Sequence, residues 1–188
     1  MTRILGISGS LRAGSINTAL LRAAQQVAGD GIDVEAATLH GIPLYDGDAE
    51  ARDGEPAAVA ALKRQVITSD GVLLFTPEYN NGVPGVFKNA IDWLSRTSPA
   101  GNIATVFAGR PFALVGASPG GFGTILSQNH WLPVLKTLGV RLWAGKQLMV
   151  SRAGSVFDAD GQLVDEKVRA QLAGFMQGFA AFAAAPRG

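Results

Sequence analysis

Short apolar runs and helical patterns alternate along this chain from one end to the other, and no other feature restricts its fold as strongly. Residues 4–7 read as a strand. A loop over 9–17 follows, then a helix to about residue 28, with Ile16, Leu20, Leu21 and Ala24 at helical spacing. Residues 33–39 read as a second strand, and 56–69 as a helix with Val59, Leu62 and Val66 on one face. The third strand, 71–75, is apolar without alternation, as expected where both faces of a sheet are covered. Pro84 opens a helix with Phe87, Ala90, Ile91 and Leu94 on one stripe, a position at which proline's missing N–H costs nothing. Residues 111–115 form a fourth strand, 116–123 a glycine-rich loop and 124–138 a helix. Either 141–143 or 147–150 supplies a fifth strand. Asp165 caps a last helix that turns Val168, Leu172, Phe175, Met176, Phe179 and Phe182 inward. Residues 40–56 and 96–110 read as long loops.

Strict β–α alternation calls for a parallel sheet with helices on both faces. Five strands in 188 residues fit one α/β domain, 1–188, a doubly wound sheet of the flavodoxin-like order 2-1-3-4-5. Ligands in such sheets bind outside the carboxyl ends of the strands, so the loops after strands one, three and four are the places to look.

Composition removes several functions. The net charge of +1 gives no electrostatic footprint for nucleic acid or for a membrane surface. Cysteine is absent, which excludes disulfides, thiol nucleophiles and thiolate-held metal centres. The N-terminus enters a strand directly and no apolar run reaches ~18 residues, so a cytoplasmic protein is expected. With 47% hydrophobic and only 16% charged residues, oligomerisation is one way to cover surplus apolar surface.

The first loop is Gly9-Ser10-Leu11-Arg12-Ala13-Gly14-Ser15-Ile16-Asn17. Free N–H groups at a helix start attract an anion, and here neutral donors surround a single Arg12, which suits one terminal phosphate. Ser15-Ile16 follow Gly14 where a nucleotide-triphosphate loop needs lysine, and the Gly-x-Gly-x-x-Gly dinucleotide fingerprint is missing. An ordinary capped helix start, with Ser15 or Asn17 as cap, is the plain alternative. The loop after strand three, Thr76-Pro77-Glu78-Tyr79-Asn80-Asn81-Gly82-Val83-Pro84, is rich in aromatic and amide groups and suits a flat, hydrogen-bonding ring. Its plain alternative is an Asn81-Gly82 turn. Glu78 resembles a general base, yet no partner lies near it in sequence; the backbone of 77–80 is the expected working part.

The fourth loop, Gly116-Ala117-Ser118-Pro119-Gly120-Gly121-Phe122-Gly123, matches the Gly-x-Ser-x-Gly elbow of hydrolases. That reading fails chemically. Pro119 has no N–H to give an oxyanion hole, and neither histidine, His40 or His130, follows in the required triad order. Asp158-Ala159-Asp160-Gly161 lacks the remaining ligands of a calcium loop and reads as a surface turn. Trp93, Phe122 and Trp131 are either interface or pocket aromatics or plain core.

Taken together, the three loops resemble the NADPH-dependent FMN reductase family, which includes flavodoxin-like quinone and chromate reductases. Residues 9–17 match its Gly-Ser-x-Arg-x-x-Ser-x-Asn phosphate loop, and Thr76-Pro77-Glu78-Tyr79-Asn80 with Lys88-Asn89-Ala90-Ile91-Asp92-Trp93 match its flavin loop and following helix. The resemblance implies that Ser10, Arg12, Ser15, Ile16 and Asn17 hold an FMN phosphate. It further implies that Pro77, Glu78, Tyr79 and Asn80 border the ring, and that Ser118, Gly120 and Gly121 close the other side. Hydride would pass from NADPH or NADH to FMN and on to quinones, free flavin, azo compounds or metal oxyanions such as chromate. No side chain would act as catalytic acid or base, and no metal would be bound. Such proteins are commonly homodimers or homotetramers. One departure is that Thr124-Ile125-Leu126 stand where several relatives carry an arginine. A flavodoxin-like carrier without nicotinamide oxidation is the competing reading; the near-neutral charge speaks against it.

Overall fold

The computed structural model describes residues 1–186. Strands β1 (Thr2–Ser8), β2 (Ile32–Ala37), β3 (Gly71–Phe75) and β4 (Pro111–Ala117) form a parallel sheet in the order β2-β1-β3-β4. Beyond β4 lie two short segments, β5 (Arg141–Leu142) and β6 (Leu148–Val150). β5 pairs with Pro111 and Phe112 at the start of β4, and β6 pairs with Val115, Gly116 and Ala117 at its end. The two alternatives for a fifth strand are thus both occupied, one on each half of β4. Between them the chain folds back: the Trp143 indole lies against Gly145, where even a Cβ would stand 2.6 Å from its Nε1.

The uniform hydrophobicity of β3 has a direct cause. Leu73 and Phe75 enter one core, with Leu20, Leu21 and Ala24 of α1 (Ile16–Val27) and Leu172, Phe175, Met176 and Phe179 of α7 (Glu166–Ala184). Val72 and Leu74 enter the opposite core. There they meet Leu62 and Val66 of α3 (Ala57–Thr68), Phe87, Ile91 and Leu94 of α4 (Gly85–Ser95), and Trp131 and Leu135 of α6 (Ile125–Thr137). Every β3 side chain therefore leaves water, one set to each face. The order 2-1-3-4-5 and the covering helices are as expected.

The two long connections are not structureless. They contain α2 (Gly47–Asp53), capped by Asp46, and the single-turn α5 (Ile103–Val106), capped by Asn102 in a reciprocal capping box. Both helices are too short for hydrophobic periodicity to reveal them. The connections are held from beneath by Lys63, which is fully buried. Its ammonium pairs with Glu55 at 2.6 Å and donates to Ser98 Oγ at 3.0 Å and to the Arg96 carbonyl. Ser98 Oγ in turn donates to Glu55 at 2.8 Å. A buried ion pair removed by half leaves an uncompensated charge, at a cost of about 3–5 kcal/mol.

Candidate cofactor site

The loops after β1, β3 and β4 converge at the carboxyl edge of the sheet. The approach is close. A Cβ on Gly9 would stand 2.2 Å from the Phe87 ring and 2.8 Å from Pro77, and one on Gly116 would stand 2.3 Å from the Thr76 carbonyl oxygen. Both positions favour glycine because packed side chains at Gly9, and the Thr76 backbone with the Thr124 side chain at Gly116, occupy the space a Cβ would take. Between the loops lies a small cavity of about 90 Å³, lined by Ser10, Arg12, Ser15, Ile16, Asn17, Pro77, Glu78, Tyr79, Ala117, Ser118 and Pro119. Nine of the twelve residues expected at the site line it. Asn80, Gly120 and Gly121 do not. Ala117 and Pro119 were not anticipated; they flank Ser118, and carry no polar group that would single them out.

In the first loop, Ser15 is the N-cap of α1, its Oγ accepting from Thr18 N at 3.3 Å. The plain reading of Ser15 as a cap is therefore correct, and it coexists with a place on the cavity wall. Among the described residues, the N–H groups of Ile16 and Asn17, in the first helical turn, have no acceptor. Asn17 is buried and bridges to the fourth loop: its amide donates to the Ala117 carbonyl and accepts from the Ala117 N–H, both at 2.9 Å. One amide N–H remains for a ligand. Ser10 Oγ accepts from Arg12 N and shares a 3.3 Å hydrogen bond with the Tyr79 hydroxyl, joining the first loop to the second. The Arg12 guanidinium is exposed and, among the described residues, has neither hydrogen bond nor ion pair.

The second loop is organised differently. Its root is Thr76, fully buried, whose Oγ1 accepts from Trp131 Nε1 at 3.0 Å and bonds Ser127 Oγ at 2.9 Å. Trp131 and Trp93 are core residues, at 0% and 2% exposure, which removes them as interface or pocket candidates. Phe122, at 83%, remains one. The Glu78 carboxylate accepts from the N–H groups of Leu126 and Ser127 at 2.9 and 3.1 Å. It caps α6, whose own N-cap Thr124 makes no side-chain cap, and it lies against the positive end of that helix. A carboxylate so engaged is a poor general base; its partner lies 48 residues away in sequence and was invisible there. The tip of the loop is a two-residue reversal. Tyr79 and Gly82 exchange both backbone hydrogen bonds, and Asn80 and Asn81 have φ of 50° and 62°. Positive φ at both central residues marks a type I′ turn, which asparagine tolerates. The turn is thus centred one residue earlier than Asn81-Gly82, and this accounts for Asn80 lying outside the cavity. His130 is exposed on α6 and lies over Gly82, remote from Ser118's cavity wall.

The fourth loop is fixed to the segment after β6. Ser118 N donates to Val150 O, Arg152 N to Gly120 O, and Ala153 N to Ser118 O, at 2.9, 2.9 and 3.1 Å. Ser118 Oγ accepts from Gly120 N at 3.2 Å. No imidazole meets that hydroxyl, as the rejected hydrolase reading requires. Among the described residues there is no cluster of metal-ligating side chains.

A phosphate-sized cavity with unpaired helix N–H groups, neutral hydroxyls and one guanidinium fits the phosphate end of FMN. Known proteins agree with this chemistry. Residues 2–155 match the model of the NADPH-dependent FMN reductase family. An NAD(P)H-dependent FMN reductase of Pseudomonas aeruginosa is 44% identical, over 89% of this chain and 87% of the relative. A quinone reductase of Escherichia coli is 34% identical, over 96% and 94%. The solved flavoenzyme NAD(P)H:(acceptor) oxidoreductase FerB of Paracoccus denitrificans superposes with a TM-score of 0.84 at 31% identity, covering 97% of each chain. By sequence match, fold and loop geometry alike, the chain belongs to the NADPH-dependent FMN reductase family.

Proposed function

We propose that this chain is an FMN-dependent NAD(P)H oxidoreductase that passes reducing equivalents to small acceptors, quinones foremost. The single observation carrying this reading is the convergence of three loops on one cavity whose free donors are those an FMN phosphate needs. Bound there, FMN supplies the hydride and electron chemistry, so the protein needs no acid–base pair. Ser10, Arg12 and the N–H groups of Ile16 and Asn17 hold the phosphate. Asn17 additionally fixes the distance between the first and fourth loops. Pro77, Glu78, Tyr79 and Asn80 form the ring-side wall, with Glu78 acting through α6. Ser118, Gly120 and Gly121 form the opposite wall. The cavity of about 90 Å³ admits a phosphate and not a tricyclic ring, so the ring-binding shelf is open and tolerant of varied acceptors, free flavin, azo compounds and chromate included.

Reliance on a reduced nicotinamide donor supports a cytoplasmic location. The exposed Phe122, Ile125 and Leu126 around the start of α6 support a homodimer or homotetramer that covers them. The test is a titration of the purified protein with FMN, followed by NADPH oxidation with a benzoquinone acceptor. Saturable FMN binding and quinone-dependent NADPH oxidation are expected. Protein that takes up no FMN would refute the proposal, and bound FMN that reacts with neither nicotinamide would make the chain an electron carrier.

A further inference from the structure

Among the described residues, three that are not glycine have positive φ: Asn80, Asn81 and Arg152. The two asparagines form the turn of the second loop, and Arg152 stands beside the fourth, just after β6. Asparagine tolerates the left-handed region because its short side chain bonds locally; arginine has no such compensation. Arg152 has φ of 50° and ψ of 41° and opens a single 3-10 turn, Ala153–Ser155. That turn is fixed from several sides. Arg152 N donates to Gly120 O, Ala153 N donates to Ser118 O, and Ser155 N and Oγ both donate to Arg152 O. Ala153 is buried in the core shared with α1 and α7. Residue 152 gives only backbone atoms to these bonds, and glycine would give the same atoms without strain. The Arg152 side chain is exposed, and among the described residues its guanidinium has neither hydrogen bond nor ion pair.

A strained position filled by a long cation that the fold does not use is accounted for by a partner outside the chain. The bonds of the turn say where that partner lies. Arg152 is tied to Gly120 and its neighbour Ala153 to Ser118, both in the loop proposed as the ring's far wall. Neither residues 76–87 nor residues 111–135, which hold the second and fourth loops, contain a lysine or an arginine. The Glu78 carboxylate between them is occupied by the Leu126 and Ser127 N–H groups. From this juxtaposition we infer that Arg152 is a specificity-determining residue for the electron acceptor, and takes the anionic substituent of a quinone stacked on the flavin. A free guanidinium offers the planar, paired donors that a carboxylate, a sulfonate or an ionised hydroxyl accepts. The inference rests on the proposed FMN site and names an acceptor class within it: anionic quinones over neutral ones of the same size.

The experiment compares 1,4-naphthoquinone-2-sulfonate with 2-methyl-1,4-naphthoquinone as acceptors for FMN-loaded protein supplied with NADPH. Arg152→Gln is expected to raise KM for the sulfonate about tenfold at little-changed kcat, with a much smaller shift for the methyl quinone. Arg152→Lys should recover part of the loss. Naphthalene-2-sulfonate, which accepts no hydride, should bind the FMN-loaded protein in a calorimetric titration, and Arg152→Gln should weaken it about tenfold. Arg152→Gly tests the strain by itself: the flavin-free variant should melt higher by about 2 °C while losing sulfonate selectivity as the glutamine variant does. Equal KM shifts for the two quinones would overturn the inference, and so would a glycine variant that melts no higher. A rise in KM for NADPH with quinone selectivity unchanged would give the guanidinium to the donor's diphosphate, and would also overturn it. Failure of FMN uptake would instead refute the proposed function, whereas a protein that reduces both quinones with no dependence on Arg152 would refute this inference alone.

Discussion

The loop after β1 and the loop after β3 face one cleft and use their polar groups in opposite ways. The first loop leaves donors open: among the described residues, the N–H groups of Ile16 and Asn17 and the Arg12 guanidinium have no partner. The second loop is internally satisfied. Thr76 is bonded to Ser127 and Trp131, Glu78 caps α6, and Tyr79 and Gly82 close a turn on each other. An open loop binds by supplying hydrogen bonds that the free protein lacks. A satisfied loop binds by shape, because its conformation is fixed before any ligand arrives and little ordering entropy is lost on binding. Changes in the first should therefore reach ligand affinity without reaching stability, and changes in the second the reverse.

Gly116→Ala tests the close approach on which the second loop depends. The added Cβ would meet the Thr76 carbonyl at 2.3 Å and Thr124 Oγ1 at 2.2 Å. A loss of about 3 kcal/mol is expected, seen as a fall in melting temperature of roughly 10 °C. Thr76→Val removes the acceptor of a buried indole N–H. It should cost about 1–3 kcal/mol in a denaturant titration, with FMN affinity falling only as far as the loop loosens. Arg12→Ala should do the opposite: FMN affinity down by roughly tenfold or more by fluorescence titration, with the melting temperature of the flavin-free protein unchanged. A destabilised Arg12→Ala protein would mean that the first loop is not the open one. Glu78→Gln keeps the cap's shape and removes its charge, so about 0.5–1 kcal/mol of stability should go, with modest weakening of flavin retention and hydride transfer intact. If activity vanishes while FMN stays fully bound, Glu78 has a chemical role beyond capping. Asn81→Gly should change least, within a few tenths of a kcal/mol, because glycine adopts the same positive φ.

The same contrast explains what could be read from the chain. The parallel sheet follows from the alternation of β and α elements, and Ser15 was legible as the cap of α1 because that chemistry is local: a hydroxyl at the start of a helix. The second loop was legible as a turn, read one residue too late, and what fixes it is distant. Glu78 meets Leu126 and Ser127, and Thr76 meets Trp131, through contacts no spacing rule anticipates. The break between β5 and β6 was hidden for a related reason. Two short segments compete for one sheet edge, and only the folding of Trp143 onto Gly145 shows that both are accommodated.

Lys63 carries a consequence for how this protein can diversify. Its ammonium is shared between the connection that holds Glu55 and the one that holds Arg96 and Ser98. Neither connection is an independent cassette. A chimera that imports one of them from a relative, without the matching residues of the other and of α3, inherits a lysine or a glutamate with no counterpart in the dark interior of the protein. The two segments must travel together, as one unit of inheritance whose polar partners are dispersed from Glu55 to Ser98.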